Sequence, residues 1–281
     1  METEYFKDER INASLLKQAL ISPLHALRCM QNVQSKPSDS MRLGTAVHAW
    51  YLERERFGND YTLDVERYQR RTGEHNAGDI KTDEDGSPKL SLSCPDGVLT
   101  GEYAKRFQAM TDALAQSEKA QALLDGGRCE VELYTDLYKA KLDLITSDGW
   151  LVDLKTVGGG ADEMPLRSES FAREFWRLGY DVQMWHYDLL AKANNIDAKG
   201  FIFLCVDAKI PAGVRSFVFE RNSDWWEIGK DRWEKALKII EKVKKDTDNN
   251  KKVLKYDETV YDLPVPFQAI NEIAGLKNGK D

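Results

Sequence analysis

Nothing in the sequence approaches the ~20 consecutive apolar residues that a membrane-spanning helix requires. Cysteine is scarce: Cys29, Cys94, Cys129 and Cys205 lie far apart, with no CxxC pair among them. That pattern argues against a disulfide framework or a zinc ribbon and suits a reducing compartment. The opening METEYFKDERINASLL is charged where a secretory signal would be apolar. These absences predict a cytoplasmic protein with no membrane partner. An excess of positive charge is missing too. The net charge of −7 argues against a surface that binds nucleic acid everywhere, but leaves room for a local basic groove.

What is present is material for a core. The chain is 42% apolar and 10% aromatic, which is too much for disorder, and its seven tryptophans need burial or stacking. With 281 residues and no internal repeat, one domain spanning 1–281 is expected. Residues 12–30 read as short helices interrupted at Ser22-Pro23, with Asn12 as an N-cap. A stronger helix is predicted over 41–56. The stretch 58–100, rich in Gly, Asp, Asn, Thr and Ser, reads as an irregular insertion. Tyr103, Phe107, Met110, Leu114 and Leu123 predict one helix over 101–124, ended by Gly126-Gly127.

Three strands follow at 129–135, 139–146 and 150–156, the last two joined through Asp148-Gly149. A loop opens at Gly158-Gly159-Gly160. Helices come next at 168–178 and 180–195. FIFLCVD (201–207) reads as a strand covered on both faces, and VRSFVFE (214–220) as an alternating strand. A helix over 223–246 leads to a mixed tail. The middle therefore reads αβββαβ: an α/β protein with a mixed central sheet flanked by helices, a core over about 41–220, and helical additions at both ends.

The central chemical feature is Asp143 followed by Val152-Asp153-Leu154-Lys155-Thr156. Strand alternation puts Asp153 and Lys155 on one face and Val152 and Leu154 in the core. On the preceding strand, Asp143 shares its expected face with Lys141 and Ile145. A hairpin would bring Asp143 and Asp153 within a few ångströms. Two carboxylates that close repel unless a cation or a proton intervenes. Hard oxygen donors suit Mg²⁺, with Mn²⁺ as a substitute, and Lys155 stands ready to orient or help deprotonate a water. The plainer alternative is a solvated edge-strand face.

Two further features adjoin this one. Leu43-Gly44-Thr45-Ala46-Val47-His48 places a glycine, costly in a helix by ~1 kcal/mol, one turn from a histidine. Close approach of another element would explain Gly44, and His48 would then reach the metal site; otherwise His48 is a structural residue. Tyr180, Gln183 and Tyr187 form one helical stripe, either a half-aromatic core face or a polar wall of the site.

Together, LGTAVHAWYLE (43–53), EVELYTDLYKAKLDLITSDGWLVDLKT (130–156) and GYDVQMWHY (179–187) resemble the RecB/lambda-exonuclease branch of the PD-(D/E)xK nucleases, and most of all its RecE-type members. The resemblance spans roughly 41–207 and implies a restriction-endonuclease-like core. It implies that His48, Asp143, Asp153 and the carbonyl of Leu154 hold the metal, that Lys155 is the catalytic lysine, and that Gln183 and Tyr187 flank it. Glu132 is a weaker metal candidate, with Glu130 beside it undecided. The triple-cysteine cluster of iron–sulfur relatives is missing, so no such cluster is expected.

By the same resemblance the chain would be a phage or prophage exonuclease in a bacterial cytoplasm. It would degrade the 5′-ended strand at double-stranded DNA ends, as a ring-shaped trimer or tetramer working with a RecT-like annealing protein. Arg42, Lys139, Lys141, Arg167, Arg173 and Arg177 are candidates to line the ring, each also readable as an ordinary surface charge. The competing readings are an endonuclease or single-strand nuclease with the same site, and a catalytically silent DNA-binding scaffold.

Overall fold

The computed structural model describes residues 4–32, 36–158, 166–221 and 223–248. Its first helices, α1 (Glu4–Lys7), α2 (Ala13–Ile21) and α3 (Pro23–Met30), follow the capping residues. Asn12 accepts the Leu15 amide at the start of α2, and Ser22 ends that helix and caps the next, with Pro23 in its first turn. Then come α4 (Asp39–Leu52), capped by Ser38, and α5 (Arg54–Asp60).

The insertion at 58–100 is more ordered than its composition predicts. It contains β1 (Thr62–Val65), β2 (Leu90–Cys94) and β3 (Gly97–Thr100), paired antiparallel as a small sheet. Its strands are four or five residues long, so polar turn residues outnumber the two fully buried anchors, Leu92 and Leu99. That is why composition reads as loop. The helix predicted over 101–124 is likewise two, α6 (Glu102–Gln116) and α7 (Glu118–Leu124). Ser117 takes an extended conformation between them, and its hydroxyl caps the second.

The main sheet is built from β4 (Arg128–Tyr134), β5 (Lys139–Ile145) and β6 (Trp150–Val157). Next in the chain come α8 (Ser168–Arg177) and α9 (Tyr180–Ala193), then β7 (Gly200–Asp207), β8 (Val214–Glu220) and α10 (Asp224–Asp248). Strand order follows chain order, β4-β5-β6-β7-β8. Every neighbour is antiparallel except β6 and β7, which the α8–α9 crossover joins in parallel. This is the expected mixed sheet of an αβββαβ core.

Among the described residues, three apolar clusters hold the layers. Leu144, Val152, Leu154 and Leu204 pack with α4 and α6 on one face. On the other, Leu142, Leu151, Phe201 and Phe203 pack with α8 and α9. The strand β7, buried along nearly its whole length, lies between these helical layers, as its unbroken apolar run requires. The third cluster ties α2 to α9 and α10 through Leu16, Val182, Ala236 and Ile240. Gly159, Gly160 and the tail from 249 lie outside the described residues.

Candidate active site

On β6, Val152 and Leu154 enter the α4/α6 core, and Asp153 turns to α9, where it is almost wholly buried. Beside it β5 and β6 part. They pair at Ile145↔Leu151 and Leu144↔Val152 and no further. At the fork, Asp143 Oδ2 accepts the backbone N–H of Leu154 at 2.7 Å, taking a donor that a continuing ladder would have claimed. The β4–β5 ladder skips the same level. Glu130, opposite Asp143, has φ +54°, while Cys129↔Leu144 and Val131↔Leu142 remain paired on either side. Cys129 and Leu144 face the α4/α6 core, whereas Val131 and Leu142 face the α8/α9 core. The strands change faces here, so Lys141, Asp143 and Ile145 do not share one simple face as strict alternation predicts.

This distortion gathers the predicted residues. His48 Nδ1, from α4, lies 3.5 Å from Asp143 Oδ2, and the ring is close enough to the Leu154 carbonyl to feel it. Gly44 explains how α4 comes so close: a Cβ there would sit 3.2 Å from the Thr156 hydroxyl on β6. From α9, the Gln183 amide nitrogen donates to Asp153 Oδ1. Lys155 Nζ lies 2.5 Å from Asp153 Oδ2, 3.5 Å from Gln183 Oε1 and 4.7 Å from the centre of the Tyr180 ring. Tyr187 stands one turn further along α9 from Gln183. Sequence reasoning missed one member. Lys17, on α2, donates to Gln183 Oε1 at 2.9 Å; a lysine 166 residues distant on an amphipathic helix carries no local signal.

The electrostatics follow from enclosure. Burial, and then Asp153, push the Asp143 carboxyl well above its ordinary value. The His48 side chain keeps 30% of its surface, yet its surroundings lower its pKa to about 4, with burial opposed chiefly by Asp153. Burial works against the Lys155 ammonium too. There Asp153, Tyr180 and Asp143 prevail and hold its pKa above the usual lysine range. Burial, with Asp153 and Asp143 adding to it, raises the Tyr187 hydroxyl well above its normal value.

Among the described residues, no three His, Cys, Asp or Glu side chains form a ready-made metal cage. The donor set nevertheless fits a hard divalent cation. A carboxyl driven towards protonation by burial and by its neighbour is relieved by such an ion, and Asp153 Oδ2, buried and ion-paired, has no aligned hydrogen-bond partner. The two candidate glutamates separate. Glu132 is exposed and accepts the Tyr134 hydroxyl at 2.6 Å. Glu130 is the one whose charge Asp143 feels; it pairs with Lys141, and burial raises its pKa.

Several predicted channel residues have other duties. Lys139 is buried, its ammonium donating to the carbonyls of Tyr5 and Asp8, so it fastens the N-terminus to β5. Arg42 is held between Asp39 and Asp96. Arg167, Arg173 and Arg177 are exposed at or on α8.

A five-stranded mixed sheet whose splayed β5–β6 pair presents two carboxylates and a lysine defines a PD-(D/E)xK-type nuclease domain. Sequence comparison bears this out: the chain belongs to DUF3799, a family of PDDEXK-like domains of unknown function, whose model matches residues 12–253. Nucleases of this superfamily generally use divalent metal ions. A solved structure from Eubacterium rectale, described as a "putative exonuclease", has the same fold at a TM-score of 0.60 and 14% identity, over 99% of this chain and 96% of that one. No curated protein matches by sequence. No described helix is long and apolar enough to cross a membrane.

Proposed function

We propose that this protein is a Mg²⁺-dependent deoxyribonuclease, with Mn²⁺ as a substitute, that degrades linear double-stranded DNA from its ends. The observation that carries the reading is the fork at Asp143, which sets its carboxylate beside Asp153, Lys155 and His48 at the edge of two strands. His48, Asp143, Asp153 and the Leu154 carbonyl would hold the ion. When bound, it lowers the pKa of a water and offsets charge on the phosphate.

The chain's own residues do the rest. Gln183 holds Asp153 by one oxygen and leaves the other turned to Lys155. Lys155, whose ammonium the neighbouring carboxylates favour, orients the nucleophile and offsets negative charge on the phosphate. Tyr187, kept protonated by burial, stands beside Gln183 on the same stripe of α9.

Digestion of the 5′-ended strand, a trimeric or tetrameric ring around the duplex, and hand-over of the 3′ tail to a RecT-like annealing partner complete the reading. The exposed arginines at α8 suit a DNA-facing surface. The "putative exonuclease" description of the Eubacterium rectale structure is in keeping with attack on ends. The test is digestion of linear duplex labelled at the 5′ or the 3′ end, beside covalently closed circles, with and without Mg²⁺. Metal-dependent release of the 5′ label with circles intact is expected. Cutting of circles makes the protein an endonuclease, and no release with Mg²⁺ or Mn²⁺ makes it a scaffold.

A further inference from the structure

The αβββαβ core supplies every residue placed around the Asp143 fork except one, which enters from outside it. Lys17 stands on α2, in the N-terminal helical addition, and reaches the Gln183 oxygen at 2.9 Å. Its ammonium lies 5.6 Å from the centre of the Tyr180 ring, the ring that Lys155 also approaches. Among the described residues, its hydrogen-bond partner is this neutral amide and not a carboxylate. Burial, and then the Lys155 charge, lower its pKa to about 8. A cation held in so unfavourable a place has a reason to be there.

The reason lies in the symmetry of an amide. Gln183 can present oxygen or nitrogen to Asp153, and only the nitrogen donates. Two ammoniums on the opposite side, Lys17 at 2.9 Å and Lys155 at 3.5 Å, demand the oxygen, and so send the nitrogen to Asp153 Oδ1. Lys17 is the nearer of the two. Its stem is guided by Gly179, where a Cβ would stand 3.1 Å from the Lys17 Cγ and where φ is +68°. Its helix is anchored independently, with Leu15, Leu16 and Ala19 packed against Val182, Ala236 and Ile240.

We propose that Lys17 is a positioning residue of the site: it locks the Gln183 amide with its nitrogen on Asp153, so that an N-terminal helix outside the core completes the catalytic arrangement. The inference rests on the nuclease reading for its effect on rate, but not for its effect on the amide. Its test therefore has two arms.

In the first, the Gln183 side-chain amide is observed by selective ¹⁵N-glutamine labelling of the full chain and assigned through its loss in Gln183→Leu. A displaced, exchange-protected pair is expected in the wild type and in Lys17→Arg. In Lys17→Met it should return to the position of a free amide, with protection reduced about tenfold or more. In the second, single-turnover digestion is measured in a double-mutant cycle. Lys17→Met should slow the wild type by about ten- to a hundredfold, with half-saturation little changed and Lys17→Arg restoring most of the rate. In the Gln183→Leu background the same change should cost less than about twofold.

An unaltered amide signal in a folded Lys17→Met protein overturns the proposal. So does a cost that persists undiminished without Gln183, or one that falls on half-saturation alone, which would make Lys17 a DNA contact. Should Lys17→Met fail to fold, Lys17→Gln, which removes the charge and keeps polarity, takes its place in both arms. A wild type that digests no DNA while the amide responds as described defeats the nuclease reading and leaves the positioning role standing.

Discussion

Asp143 Oδ2 accepts the Leu154 backbone amide at 2.7 Å, on the strand segment whose side chains at 153 and 155 form the rest of the site. A carboxylate placed there does two things at once. It satisfies a backbone donor at the point where two strands part, and it sets a negative charge against Asp153. A mutation at Asp143 is therefore expected to act on both strand geometry and charge, and the choice of substitution can separate them.

Asp143→Asn keeps an acceptor for Leu154 and removes the charge. Because burial and Asp153 already disfavour ionised Asp143, the metal-free variant should be more stable than the wild type at pH 8. Its thermal midpoint should no longer rise on adding Mn²⁺. Thermal unfolding in chelator and in Mn²⁺ gives both readings, and an unchanged metal response would remove Asp143 from the proposed ligand set.

Lys155→Ala should reduce turnover by about a thousandfold or more, since it removes the cation nearest the carboxylate pair. DNA and metal binding should be largely retained. Single-turnover digestion beside gel-shift and calorimetric titrations checks this; a near-normal rate would end the assigned role.

Glu132→Gln should leave digestion within about twofold of the wild type, as expected of an exposed side chain away from such features. Glu130→Gln should change it, because the Glu130 charge reaches Asp143 and its carboxylate pairs with Lys141. Rates measured across a Mg²⁺ titration separate the two.

His186 supplies a pH dependence of stability. It is buried on α9, with Nδ1 accepting the Trp233 indole N–H at 3.2 Å and Nε2 within 3.0 Å of the Lys139 carbonyl. Burial lowers its pKa from 6.5 to about 4. Between those values the unfolded chain holds a proton that the folded one refuses, so this contribution is complete above pH 6.5 and is lost as pH falls towards 4. The loss amounts to at most roughly 3 kcal/mol. Denaturant titrations from pH 7 to 4.5 should show a steeper fall for the wild type than for His186→Gln. Parallel curves would disprove the assignment.

Much of this site was legible before any coordinates. Periodicity of two over 139–156 put Asp153 and Lys155 on one face and Asp143 on the adjoining strand, and the costly Gly44 marked the helix that must come close. Local pattern was less reliable where elements are short. The strands in 58–100 carry too few buried residues to stand out from their turns, and the break at Ser117 rests on one capped residue inside a continuing apolar stripe. Lys139 shows the opposite error: a strand lysine that reads as surface charge is buried because the N-terminal segment folds back and offers it carbonyls.

The sequence alone determined the αβββαβ order, the strands that carry the two aspartates and the lysine, and the helices that carry His48 and the Gln183–Tyr187 stripe. These depend on contacts within one element or between neighbours, where spacing translates directly into faces. Only the tertiary structure decided that β5 and β6 part at Asp143, that Glu130 and not Glu132 adjoins it, and that Lys17 shares the Gln183 oxygen with Lys155. The first two depend on a break in strand alternation at Glu130 and Asp143 that residue spacing does not mark, and the last on elements far apart in the chain. Their juxtaposition is set by how three apolar clusters pack, and a one-dimensional pattern does not encode that distance.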